Sequence, residues 1–115
     1  MKKDDLVYLD HILNSLSKTV DYTEGVSKKD FLNNEEKQDA VIRKIEITGE
    51  AIKRVSKELR EKHRHIPWKA IAGMRDKLIH DYIDVDLDMV WETATKDVPL
   101  LILQIQAIID ELEKK

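Results

Sequence analysis

Apolar residues recur at steps of three and four through most of this chain, and that spacing restricts what it can fold into. Leu6, Leu9, Leu13, Leu16 and Val20 form one such stripe; Val41, Ile45, Thr48, Ile52, Val55 and Leu59 form another. Side chains three and four apart share a helix face, so each stripe marks the buried side of an amphipathic helix. The first predicts a helix over about residues 3–22. The second predicts a long helix beginning at Asn34, whose side chain suits an N-cap, with Glu35 and Glu36 at the positive end of the helix dipole. Between them, Ser27 to Leu32 reads as a short helical turn after Gly25.

A third helix is expected from Pro67, since proline's fixed φ suits the first helical position. Trp68, Ile71, Ala72, Met74, Leu78 and Ile79 supply its apolar groups, and it is expected to end near Tyr82 or Ile83. Asp86 then caps a last helix carrying Val90, Ala94, Leu101, Ile105, Ile108 and Leu112, with Pro99 kinking it. Only three Gly and two Pro interrupt 115 residues, and strands are not expected. The reading is all-α: one domain over 1–115, an up-and-down four-helix bundle with an additional short helix. In the last helix Leu100, Leu101, Ile102, Leu103, Ile105, Ile108 and Ile109 cover more than half the circumference. Apolar surface of that extent points to a dimer.

Composition excludes several functions. The absence of cysteine rules out disulfides, thiol catalysis and Cys-based zinc sites. Met1 to Asp5 lacks the apolar run of a signal peptide, and no stretch of eighteen apolar residues occurs, so a cytoplasmic protein without membrane attachment is expected. No Gly-rich phosphate loop is present, so no nucleotide cofactor is expected. Charge is uneven beneath a net −3: residues 43–77 hold eleven Lys or Arg against five Asp or Glu, while 78–115 hold three against nine. The basic middle is where a polyanion finds counter-charge. Helix-surface pairs such as Glu50/Arg54 and Glu58/Lys62 account for part of it.

The chemistry concentrates in Arg75-Asp76-Lys77-Leu78-Ile79-His80-Asp81-Tyr82. A permanent cation, a group that titrates near neutrality and a phenol lie within eight residues, parts suited to a phosphodiester. On one straight helix Arg75 and Tyr82 share a face, but His80 lies about 140° from Arg75. Both reach one atom only if the last turn unwinds, if the arginine stem bends back, or if two copies of the helix meet at a two-fold axis. Such a cleft suits RNA cleavage, in which the 2′-hydroxyl attacks the adjacent phosphorus: His80 moves the proton and Arg75 offers its planar fork to the phosphate. Taken singly, each residue also has an ordinary structural role: a helix-end histidine, an arginine paired with an acid, a helix-end aromatic.

The run Ile66-Pro67-Trp68-Lys69-Ala70-Ile71-Ala72-Gly73-Met74-Arg75 through Tyr82, followed by Val85-Asp86 and Val90-Trp91, resembles the HepT-like branch of the HEPN superfamily, the toxin subunits of HepT/MntA toxin–antitoxin pairs. Ile45 to Ala51 resembles the helix that precedes the motif in that family. The resemblance implies a HEPN-like homodimer and a metal-independent endoribonuclease acting on tRNA or mRNA, with Arg75 and His80 as the catalytic pair and Asp76 in an orienting role. It also implies a cognate MntA-like minimal nucleotidyltransferase antitoxin that places AMP on Tyr82, and it gives Gly49 a role in close helix packing. Two alternatives stay open: a non-catalytic HEPN module that binds nucleotide or RNA, and a structural partner of a nucleotidyltransferase.

Two histidines, His63 and His65, flank Arg64 ahead of Pro67. Without a third ligand nearby they read as a solvated loop and not as a metal site. Trp68 and Trp91 read as aromatic core caps at helix starts.

Overall fold

The computed structural model describes residues 3–81 and 84–114, except the side chains of Lys3, Arg75, Ile79, His80 and Asp81. Tyr82 and Ile83 lie outside the described residues. Three long helices, α1 (Lys3–Thr23), α3 (Glu35–Lys53) and α8 (Val98–Glu113), form the frame, with α1 packed against both others. Shorter elements fill the connections: α2 (Lys28–Leu32), α4 (Lys57–Lys62), α5 (Trp68–Ala72), α6 (Met74–Leu78), the strands β1 (Ile79–Asp81) and β2 (Asp84–Val85), and α7 (Leu87–Glu92). The chain is mostly helical, as its apolar spacing predicts.

Helix starts follow the side chains that cap them. Ser27, Asn34, Ser56 and Asp86 accept hydrogen bonds from the backbone N–H three residues on, at 3.0–3.1 Å, and so satisfy a donor with no partner inside the helix. The predicted second helix is nevertheless too long. It stops at Lys53, and α4 begins separately, although Val55 and Leu59 keep the stripe buried across the break. The break is held from a distance: the buried Asp5 carboxylate of α1 accepts the Ser56 backbone N–H at 2.7 Å and the Ser56 hydroxyl at 2.6 Å. Glu50 pairs with Lys53, at 3.2 Å, where Arg54 was the expected partner.

The last helix is also divided. Between α7 and α8, Thr93–Asp97 winds as a π-helix, with the Val98 N–H bonded to the Thr93 carbonyl five residues back. Pro99 has no N–H to give the preceding turn, and the wider turn ahead of it accommodates that loss.

Two apolar clusters result. The larger gathers Leu9, Ile12 and Leu16 of α1, Ile52 of α3, Leu59 of α4, Trp68 and Ile71 of α5, and Leu101, Ile105 and Ile108 of α8. The smaller joins Phe31, Val41, Ile45, Leu78, Val90 and Ala94. Met74 packs against both. Leu100 and Leu103 of α8 stay outside, 59% and 69% exposed. Among the described residues, no helix is long and apolar enough to cross a membrane.

Candidate functional site

The segment carrying the Arg-x4-His motif is set in place by its apolar neighbours. Met74 and Leu78, one turn apart on α6, bracket Arg75, and Leu78 is fully buried in the smaller cluster. Upstream, α5 crosses α3 closely: a Cβ on Gly49 would stand 3.3 Å from the Ala72 carbonyl oxygen, so only glycine leaves this crossing undisturbed. Gly49 therefore has the close-packing role expected of it. Gly73, where the chain passes from α5 to α6, donates its N–H to the Lys69 carbonyl at 3.0 Å.

The predicted third helix does not run to Tyr82. It is divided at Gly73 and ends at Leu78, and Ile79–Asp81 is extended and pairs antiparallel with Asp84–Val85. The strands were not expected. Nothing local in Arg75 to Asp81 breaks a helix; pairing with the later segment does. Ile79 stands opposite Val85, and the Asp86 N–H closes the ribbon onto the Leu78 carbonyl at 2.9 Å. Asp86 then caps α7. α7 is held against α2 by the Phe31 and Trp91 rings, 5.2 Å apart, and by the Lys28–Asp88 ion pair at 3.1 Å. Trp91 lies near the end of α7, not at its start.

Arg75 thus sits on a helix and His80 on an extended strand five residues later, so the 140° separation on one helix does not apply to them. The backbone leaves the helix between the two residues, at Leu78. The side chains of Arg75 and His80, and Tyr82 entirely, lie outside the described residues. Asp76 is exposed beside Arg75.

The two upstream histidines differ from expectation. His65 is exposed, but His63 is buried, its carbonyl accepting the Trp68 indole N–H at 2.9 Å and its Nε2 sealed from solvent without a hydrogen-bond partner. Burial holds its pKa below the usual histidine value; Glu111 pulls the other way, while His65 and Lys62 lower it further. The signal for this burial was Trp68 itself, whose indole needs a buried acceptor. Among the described residues, no group of three His, Asp or Glu is placed to hold a metal ion.

A groove of about 570 Å³ runs beside α6, lined by Met74, Leu78, Val98 and Leu101 with Lys77 and Asp97 at it. Its largely apolar lining suits packing better than phosphate. A second groove, between α4 and α5, gathers four of the eleven cations the composition placed in the middle of the chain. Sequence reasoning counted these charges without locating them.

A family model described as ribonuclease HepT-like matches residues 12–108. A Methanocaldococcus jannaschii protein named "Gamma-glutamylcyclotransferase and putative RNase" is 50% identical over 99% of the chain, which spans 51% of that protein's length. A second M. jannaschii protein, named "Putative RNase", is 43% identical over 99% of the chain and 98% of its own length. A Thermococcus cleftensis protein named "Probable ribonuclease HepT" is 40% identical over 88% of the chain and 92% of its own length. No solved structure matches. The motif segment, all of α3 and most of α8 fall inside the matched region, and the chain belongs to the HepT-like ribonuclease family of the HEPN superfamily, a family of RNA-cleaving enzymes.

Proposed function

We propose that the chain is the toxin of a toxin–antitoxin pair, an endoribonuclease in which Arg75 and His80 act on one phosphodiester. The observation that carries this reading is the change from helix to extended backbone between those two residues, inside the region matched by the ribonuclease family. The 2′-hydroxyl oxygen attacks the adjacent phosphorus, and the bond to the 5′-oxygen breaks. A 2′,3′-cyclic phosphate and a free 5′-hydroxyl result. His80, an imidazole that can both take and give a proton, moves protons at the attacking or leaving oxygen. Arg75 stabilises the charge gathering on the phosphoryl oxygens, and Asp76 orients the pair. DNA lacks the attacking group and is refused.

Exposed Leu100 and Leu103 on α8 support a homodimer. Tyr82, two residues beyond His80, is the position at which a nucleotidyltransferase antitoxin attaches AMP; the added anion pairs with Arg75 and competes with substrate phosphate. The test is cleavage of RNA in EDTA by the purified protein, with the 3′-end analysed for cyclic phosphate. His80→Ala abolishes cleavage, and Arg75→Ala costs about 3 kcal/mol of transition-state stabilisation, roughly a hundredfold in rate. Tight RNA binding without cleavage by the wild type overturns the reading in favour of a non-catalytic module.

A further inference from the structure

The groove between α4 and α5, about 570 Å³ in volume, is lined by four cations, Lys57, Arg60, Arg64 and Lys69, and by one acid, Glu61. Among the described residues Glu61 pairs with Lys57 alone, at 3.8 Å, and 84% of the Lys57 side chain remains in solvent. Such a pair holds its lysine weakly. No ion pair among the described residues engages Arg60, Arg64 or Lys69. Arg64 and Lys69 are exposed, whereas Arg60 is half-buried, with its Nε sealed from solvent and lacking a hydrogen-bond acceptor. A guanidinium partly withdrawn from water and given no counter-charge is under-compensated, and an anion in the groove relieves that. Ile66 and Trp68, both buried, form the apolar side of the groove, and a low-dielectric wall strengthens the field above it.

Position adds to the argument. The chain as a whole carries −3, so its net charge repels a polyanion and any attraction must be local. α5 forms one wall of the groove and leads through Gly73 directly into α6. The six residues from Lys69 to Arg75 span at most about 20 Å. A strand lying in the groove therefore comes to the Arg75–His80 segment within a few nucleotides.

We propose that this groove is a track for the phosphate backbone of the RNA substrate, separate from the cleavage site, holding the strand that flanks the cut through Lys57, Arg64 and Lys69, with Arg60 beneath. The inference rests on the ribonuclease reading. Contacts of this kind position a strand without reading its bases.

The test compares wild type with the triple variant Lys57→Gln/Arg64→Gln/Lys69→Gln, using a labelled 20-nucleotide RNA. Its affinity is followed by anisotropy against salt, and its cleavage is compared with that of a dinucleoside phosphate too short to reach the groove. Three lost contacts at about 0.7 each lower the slope of log affinity against log salt by about 2, roughly a hundredfold in affinity at 0.1 M. The cleavage loss falls on KM for the 20-mer, and the preference for the long substrate over the short one disappears. Glu61→Gln, which removes the one acid, tightens binding about fivefold at the same salt. An unchanged salt slope, or equal losses on long and short substrates, overturns the proposal while leaving the nuclease intact. If the wild type cleaves no RNA, the nuclease reading fails, and the groove is judged on binding alone: a lowered slope in the triple variant sustains it, and an unchanged slope or no wild-type binding overturns it.

Discussion

Asp5→Ala is expected to destabilise the fold far more than a change near a chain end ordinarily does. The Asp5 side chain is 2% exposed and accepts two short hydrogen bonds, from the Ser56 N–H at 2.7 Å and the Ser56 hydroxyl at 2.6 Å. Hydrogen bonds to a charged group contribute about 1.5–3 kcal/mol each, so the pair is worth roughly 3–6 kcal/mol before offsets. Removing the carboxylate also removes the cost of keeping a charge out of water, and Ser56, half-buried, recovers part of its bonding from solvent. The net loss is about 3 kcal/mol. At an unfolding entropy near 2.1 cal/mol/K per residue, that lowers Tm by about 12 °C. Urea unfolding gives the free energy directly, with the slope against denaturant unchanged because the same surface is exposed. A double-mutant cycle with Ser56→Ala isolates the share of the hydroxyl, since alanine keeps the backbone N–H that also donates to Asp5. That single change also removes the cap on the Leu59 N–H at 3.1 Å, a loss of about 1 kcal/mol that cancels in the cycle. A cost under about 1 kcal/mol for Asp5→Ala, or additivity within about 0.5 kcal/mol, refutes the clamp.

Three further outcomes are expected. Incubation with ATP and a cognate nucleotidyltransferase adds whole AMP increments to the intact mass and silences cleavage; both effects vanish in Tyr82→Phe, and inhibition without added mass would instead indicate blocking by complex formation. Stability falls as pH drops through the ordinary histidine value of 6.5, because burial lowers the His63 pKa and the unfolded chain takes up the proton first. Melting temperature between about pH 7.5 and 5 records this, and His63→Phe flattens the profile; an equally steep profile in that variant assigns the dependence elsewhere. Light scattering at micromolar concentration gives twice the chain mass of 13.5 kDa, and Leu103→Glu returns the monomer, whereas a wild-type monomer removes the dimer reading.

The elements that sequence reasoning located are those whose determinants are local. α1 follows its stripe to within a residue of prediction, and the caps Asn34 and Asp86 act where their side chains suggested. What it missed is decided across the chain. The stripe from Val41 to Leu59 is continuous in the sequence, and the break at Ser56 is held by the Asp5 carboxylate, 51 residues away. The basic groove was equally illegible: Lys57 and Lys69 belong to different helices, and their shared face depends on how α4 and α5 are set.

The same distinction governs the motif. Arg75 to Asp81 contains neither glycine nor proline, and every local preference allows the helix to continue. It ends because Leu78 is drawn into the smaller cluster and its carbonyl bonds to Asp86, which commits Ile79–Asp81 to the ribbon. A helix continued through His80 would place it five residues on, about 7.5 Å along the axis at 1.5 Å per residue and about 140° around it from Arg75. Extended backbone removes that constraint at the position where the proposed reaction needs a proton carrier near a guanidinium. A helix-breaking residue placed there would have stopped the helix without fixing where the strand goes next. Pairing with Asp84–Val85 does both, and it makes α7, whose Asp86 closes the ribbon and caps the helix, part of what positions His80.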